Sequence, residues 1–141
     1  MLPPAYTYLA GQFLRAVQSA GLSSSITLKE WRRGTVNEPG GWSYHAKGIW
    51  ITPPGESDKG PAVTLVGSSN YTKRSYGLDL EANVLVVTGD EGLRNRLREE
   101  ERWLQEYARP VGLDDLARPE RRVRWYVRAA MAITSMLGGA L

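Results

Sequence analysis

The sequence predicts an α/β protein, mostly a sheet that carries the chemistry, flanked by helices and followed by an additional C-terminal helix. Three observations lead there. Short apolar runs are punctuated by Gly and Pro, as strands are. Apolar residues recur at helical spacing towards both ends of the chain. Polar groups of several chemical kinds gather at the ends of the short runs. A chain of 141 residues suits a single domain with a core of its own.

The elements follow in order. After Pro3-Pro4, residues Tyr8, Leu9, Phe13, Leu14 and Val17 form an amphipathic pattern, and Gly21 stands at its C-terminal end. Residues 26–31 alternate in part and predict a strand, and residues 34–41 are turn chemistry. Residues 42–52 predict a second strand carrying His45 and Lys47. Period two sets those two side chains on one face with Ser43 and Ile49, while Tyr44, Ala46 and Trp50 point away. A Pro- and Gly-rich loop covers residues 53–61. Residues 62–66 predict a short buried strand ending at Gly67. Residues 80–88 predict a continuous, largely apolar strand, the mark of a central one covered on both faces.

Residues 90–107 predict a charged helix whose sparse apolar side chains include Leu93, Leu97, Trp103 and Leu104. The expected organisation is a domain over residues 1–108, a linker over 109–119, and an amphipathic helix over 120–141. That last segment opens on a basic, aromatic stretch around Trp125, Tyr126 and Arg128. Its apolar run is shorter than the roughly 20 residues a spanning helix needs. It fits a helix lying in a membrane interface, or one packed on the domain.

Composition narrows the function classes. There is no cysteine, hence no disulfide framework or thiolate zinc site, and one histidine argues against a histidine-rich metal centre. A net charge of +3 and a pI near 9.3 suit anionic lipid or phosphate, but are too weak to imply nucleic acid. Five Trp and seven Tyr against one Phe favour amphipathic rings. No stretch near Met1 combines a basic start, an apolar run and a small-residue cleavage site, so no targeting segment is expected there.

The groups at the strand ends suit a phosphodiester. His45 changes protonation near neutral pH without a large shift. Lys47 brings an ammonium to the same phosphate oxygens. Ser68 or Ser69 and Asn70 offer neutral hydrogen bonds, and Gly67 permits close backbone approach. Glu81 can accept from the second imidazole nitrogen and support the cation. Arg74 and Asp79 are placed to hold that shell together.

His45-Ala46-Lys47 followed by Gly67-Ser68-Ser69-Asn70 resembles the half-site signature of the phospholipase D superfamily. Residues 42–50, 65–71, Lys73-Arg74-Ser75 and 78–82 look more narrowly like the C-terminal half of the eukaryotic phosphatidylglycerophosphate synthases. These are mitochondrial CDP-diacylglycerol–glycerol-3-phosphate 3-phosphatidyltransferases of phospholipase D type. The similarity runs from about residue 4 to about residue 101.

The resemblance implies one lobe of a phospholipase D-like fold. Its site would have His45, Lys47, Asn70 and Glu81 as catalytic groups, with Lys47, Ser68 and Asn70 on the phosphate. Ser69, Arg74 and Asp79 would support them, and Glu81 would orient His45. It implies no metal and no cofactor. The substrates would be CDP-diacylglycerol and glycerol 3-phosphate, and the products phosphatidylglycerophosphate and CMP, on the route to cardiolipin. The setting would be the mitochondrial inner membrane, with peripheral contact.

Two departures matter. The superfamily Asp five residues after the lysine is Thr52 here, a loss shared by the phosphatidyltransferase branch. Only one His-x-Lys motif is present, whereas the family uses two, one histidine attacking phosphorus and the other acting as acid and then base. The isolated chain is therefore expected to be inactive, needing an N-terminal half with the other motif, or a second copy of itself. Three other readings remain open. One is a phospholipase D-type phosphatidylserine synthase, another a homodimeric phosphodiesterase or nuclease, and the third a non-catalytic lipid-binding module.

Overall fold

The computed structural model describes residues 4–136. It is mixed α/β, with small antiparallel sheets rather than one dominant sheet. The described residues divide into two compact units, residues 4–30 with 109–136 and residues 31–108.

In the first unit, helix α1 (Pro4–Ser19) contacts α4 (Leu113–Ala117) and α5 (Trp125–Met136). It stops as Gly21 predicts. Gly21 takes φ 70° and donates to the Gln18 carbonyl, and Leu22 donates to that of Val17, a Schellman ending. Val17 and Val111 are buried here, and Arg121 forms an ion pair with Glu30 at 2.8 Å. On α5, Val127 and Met131 are half-buried one turn apart, while Trp125, Tyr126 and Ile133 stay exposed. No helix among the described residues is long and apolar enough to cross a membrane. Residues 137–141 of the expected C-terminal helix lie outside the described residues.

The stretch expected as a linker carries structure: β5 (Ala108–Pro110) enters it and α4 lies within it. The strand expected over residues 26–31 shortens to β1 (Lys29–Trp31), because Ser25 and Ile26 both donate to the Leu22 carbonyl and close a turn. β1 and β5 pair as a two-stranded sheet.

The second unit holds β2 (Gly48–Ile51), β3 (Val63–Gly67) and β4 (Asn83–Val87) in an antiparallel sheet of order β2-β3-β4. Its register pairs Ile49 with Leu65 and Leu65 with Leu85, and Ile51 with Val63 and Val63 with Val87. Trp50 and the buried Thr64 share the opposite face.

Two sequence expectations change here. Residues 42–47 are not strand, because β3 ends at Gly67 and leaves them no partner to continue the ladder. His45 and Lys47 therefore stand in the loop that enters β2. The apolar strand expected at the centre is an edge, with Val84, Leu85 and Val87 each more than 60% exposed. Its sequence suits cover on both faces, and nothing within residues 4–136 provides it.

Helix α3 (Glu91–Leu104) is capped by Asp90, whose Oδ1 accepts from the Leu93 amide at 2.7 Å. It fastens the loop between β2 and β3 through Arg94, only 5% exposed. Arg94 donates to the Gly60 carbonyl at 2.7 and 3.2 Å and meets Glu56 at 2.7 Å. Arg94→Met is expected to destabilise the chain by about 3 kcal/mol in denaturant unfolding, since Gly60 and Glu56 would lose a buried partner.

The hydrogen bond from Arg94 holds the Glu56 carboxyl below its usual range. The unfolded chain thus binds the proton more readily than the folded one. Glu56 contributes stability above its ordinary pKa of 4.5, and that contribution is lost as pH falls through the depressed folded value. Melting temperatures measured down an acid series should fall less steeply for Glu56→Gln than for the parent chain.

Candidate active site

Antiparallel pairing brings three separate stretches of sequence to one end of the sheet. The start of β2, the end of β3 and the start of β4 meet there, because Gly48 pairs with Val66 and Gly67 with Asn83. His45 and Lys47 lead into the first, Ser68 to Asn70 leave the second, and Glu81 leads into the third. The Gly67 amide donates to the Lys47 carbonyl at 3.5 Å, tying the first stretch to the second.

The Ser68 hydroxyl donates to Glu81 Oε2 and accepts from the Ala82 amide at 3.0 Å, and the Ser68 amide donates to the Ala82 carbonyl at 3.0 Å. Close approach at this corner depends on Gly67. A Cβ there would overlap the Ala82 carbonyl oxygen and lie 2.7 Å from Asn83 Cα. Gly67→Ala is expected to cost about 1–3 kcal/mol of stability by pushing β3 from β4. It should also shift the backbone amide resonances of Ser68 and Ala82 in NMR spectra more than those of Arg94.

His45 is exposed, and Lys47 Nζ stands 3.0 Å from its Nε2 and 3.1 Å from its Nδ1. The ammonium is thus already beside the imidazole, although these contacts do not fix the tautomer. A phosphate oxygen entering between them would meet both groups.

Asn70 sits on a tight turn built by hydroxyls. Its amide donates to Ser75 Oγ at 3.2 Å, the Tyr71 amide donates to Ser69 Oγ at 3.1 Å, and the Ser75 amide donates to Thr72 Oγ1 at 3.2 Å. Ser69 and Ser75 are buried, so these bonds are shielded from water. Tyr71 takes φ 54°, a left-handed conformation of the kind that costs a non-glycine residue about 1 kcal/mol or more. The turn holds that strain and leaves the Asn70 side chain exposed. Thr72 caps the short helix α2 (Lys73–Gly77) that follows. Arg74 Nε donates to Asp79 Oδ1 at 3.0 Å, and the Asp79 amide returns a bond to the Arg74 carbonyl. That pair fixes the path from α2 towards Glu81.

The residues singled out in the sequence thus form linked groups at one end of the sheet: His45 with Lys47, Ser68 with Glu81, Ser69 under Asn70, and Arg74 with Asp79. Glu81 bonds Ser68 here, while the described partner of His45 is Lys47. Thr72 and Ser75 escaped notice as positioning residues, since a hydroxyl pair three apart is an ordinary helix cap in any sequence.

An aromatic cleft also escaped notice. It opens beside His45 with a volume of about 160 Å³, and Trp31, Arg33, Trp42, Tyr44, Trp103 and Tyr107 are among its walls. Trp31 stacks on Tyr44 at 4.9 Å, and the Arg33 guanidinium lies 4.8 Å from the Trp42 ring and 4.9 Å from that of Tyr107. Burial pushes the Tyr44 phenol up from its ordinary pKa. The signal was the surplus of Trp and Tyr, but the contributing positions are scattered from 31 to 107.

A histidine with its lysine, a hydroxyl, an amide and a carboxylate thus lie at one end of one sheet. Comparison with known proteins makes this specific. The chain is similar to a Saccharomyces pastorianus protein named CDP-diacylglycerol–glycerol-3-phosphate 3-phosphatidyltransferase, with 49% identity over 144 residues, covering 99% of this chain and 27% of the relative. The Saccharomyces cerevisiae protein of that name is 48% identical with the same coverage. The Homo sapiens protein, named as mitochondrial, is 35% identical over 128 residues, covering 90% of this chain and 21% of the relative. No protein-family model matches the chain, and no solved structure does.

The chain is therefore homologous to a C-terminal part of the CDP-diacylglycerol–glycerol-3-phosphate 3-phosphatidyltransferases, as the motifs at His45, Gly67 and Asp79 predicted. It spans about a quarter of the length of the curated relatives it matches.

Proposed function

We propose that this chain supplies the C-terminal half of a phosphatidyltransferase active site, moving phosphatidyl from CDP-diacylglycerol to glycerol 3-phosphate. The observation that carries this is the convergence of His45-Lys47, Ser68-Asn70 and Glu81 at one end of the β2-β3-β4 sheet, within a segment 49% identical to such an enzyme.

The chemistry takes two steps. A histidine nitrogen from the N-terminal half attacks phosphorus, the P–O bond to CMP breaks, and His45 gives a proton to the departing oxygen. His45 then takes the proton of a glycerol 3-phosphate hydroxyl, whose oxygen attacks phosphorus and releases the histidine. Lys47 and Asn70 neutralise and hold the non-bridging oxygens, with the Ser68 hydroxyl beside them. Glu81, bonded to Ser68 in the free chain, orients His45 once substrate draws Lys47 onto phosphate.

The bare face of the sheet supports a missing half. Ile49, Ile51, Leu85 and Val87 lie on that face and are 42–70% exposed, with Val63 and Leu65 between them. The names of the animal relatives support a mitochondrial setting for the whole enzyme, and its contact with the inner membrane is part of the proposal. The exposed Trp125, Tyr126 and Ile133 of α5 suit peripheral contact with lipid.

The acceptor is the test of function. With the chain assembled on the N-terminal part of a related enzyme, CDP-diacylglycerol and glycerol 3-phosphate should yield phosphatidylglycerophosphate, while serine as acceptor should yield nothing. Phosphatidylserine as the product would move the chain to the serine-specific branch.

A further inference from the structure

We propose that the aromatic cleft beside His45 seats the pyrimidine ring of the substrate's nucleotide. This rests on the phosphatidyltransferase reading, which supplies a cytidine nucleotide as the leaving portion of the substrate.

The size of the cleft comes first. At about 160 Å³ it matches a cavity that takes one six-membered ring, since an apolar cavity of about 150 Å³ holds benzene. The two acyl chains of a diacylglycerol are far too large for it. The nature of the walls comes second. Trp31, Trp42, Tyr44, Trp103 and Tyr107 line the cleft, and aromatic rings suit stacking against a flat base better than packing against a flexible hydrocarbon. Trp42, Tyr44 and Trp103 are 52%, 42% and 61% exposed, so large aromatic surface at the rim is available to a ligand.

Polarity is the third consideration. Arg33 spends the faces of its guanidinium on Trp42 and Tyr107. Its N–H donors lie in the guanidinium plane and are matched to adjacent acceptors such as cytosine O2 and N3. Ser43 adds a hydroxyl at the wall. Position decides the orientation of the ligand. His45 lines the same cleft and carries Lys47 beside it, so a base in the cleft sends its ribose and phosphate towards the imidazole. The cleft would therefore grip the portion that leaves as CMP and hold its phosphate where His45 can protonate the departing oxygen.

Isothermal titration of the full chain tests this with four ligands: CMP, ribose 5-phosphate, inorganic phosphate and a short-chain phosphatidic acid. CMP should bind at least about tenfold more tightly than ribose 5-phosphate, because only CMP offers a base to stack. Trp42→Ala should erase that difference while leaving ribose 5-phosphate binding unchanged. Trp103→Ala, at another exposed rim position, should weaken CMP in the same selective way, and unchanged melting curves would show that both variants fold.

Equal binding of CMP and ribose 5-phosphate, or no CMP binding, would overturn the assignment. So would phosphatidic acid binding that depends on Trp42 where CMP binding does not. Phosphatidyl transfer is scored separately in the assembled enzyme. CMP binding without transfer counts against the enzymatic reading, whereas transfer without Trp42-dependent CMP binding counts against the cleft alone.

Discussion

His45→Ala is expected to lower CMP release by the assembled enzyme about 10³-fold, the loss typical of removing a positioned acid–base group. The fold should not suffer. His45 is exposed, and its described side-chain hydrogen-bond partner is the flexible Lys47. Melting temperature should therefore stay put while kcat collapses, and KM for CDP-diacylglycerol should move little. Lys47→Ala should behave differently. Removing a charge that meets phosphate in both ground and transition states should raise KM as well as lower kcat. Full activity with His45→Ala would remove every catalytic role assigned to this end of the sheet.

Leu85→Asp is expected to weaken assembly with the N-terminal half about 30-fold or more, corresponding to roughly 2 kcal/mol for placing a charge in an apolar interface. Leu85 sits on the bare face, opposite Leu65 on the neighbouring strand, and is 62% exposed. The isolated variant should melt within about 0.5 kcal/mol of the parent, because nothing in this chain covers the position. The parent chain should self-associate through this face, and the variant should do so less. Sedimentation velocity separates the outcomes: a monodisperse parent monomer would argue against a missing lobe. The scarcity of buried hydrophobic side chains among the described residues, Val17 and Val111, agrees with a chain that completes its core by association.

The clustering of the candidate residues was more legible than the strand boundaries. His45, Lys47, Ser68, Asn70 and Glu81 could be grouped from sequence because antiparallel strands return each motif to the same sheet end, whatever the strand lengths. Strand boundaries were less legible, since pairing depends on how far the partner reaches. Residues 42–47 look like strand but find no ladder beyond Gly67. The run over residues 80–88 read as a central strand because its apolar composition suits cover on both faces, whereas β4 is an edge among the described residues. Helix endings were clear where local chemistry decides them, at Gly21 and Asp90. The Arg94 clamp on Gly60 was invisible, because one arginine among several on a charged helix gives no sign that it is the buried one.

The most direct measurement is CMP release from CDP-diacylglycerol in the presence of glycerol 3-phosphate, first with this chain alone and then with a separately expressed N-terminal part of a related enzyme. The account predicts release only in the mixture, and its loss with His45→Ala. Release by the chain alone would contradict it, and would mean that two copies of His45 build the site between them.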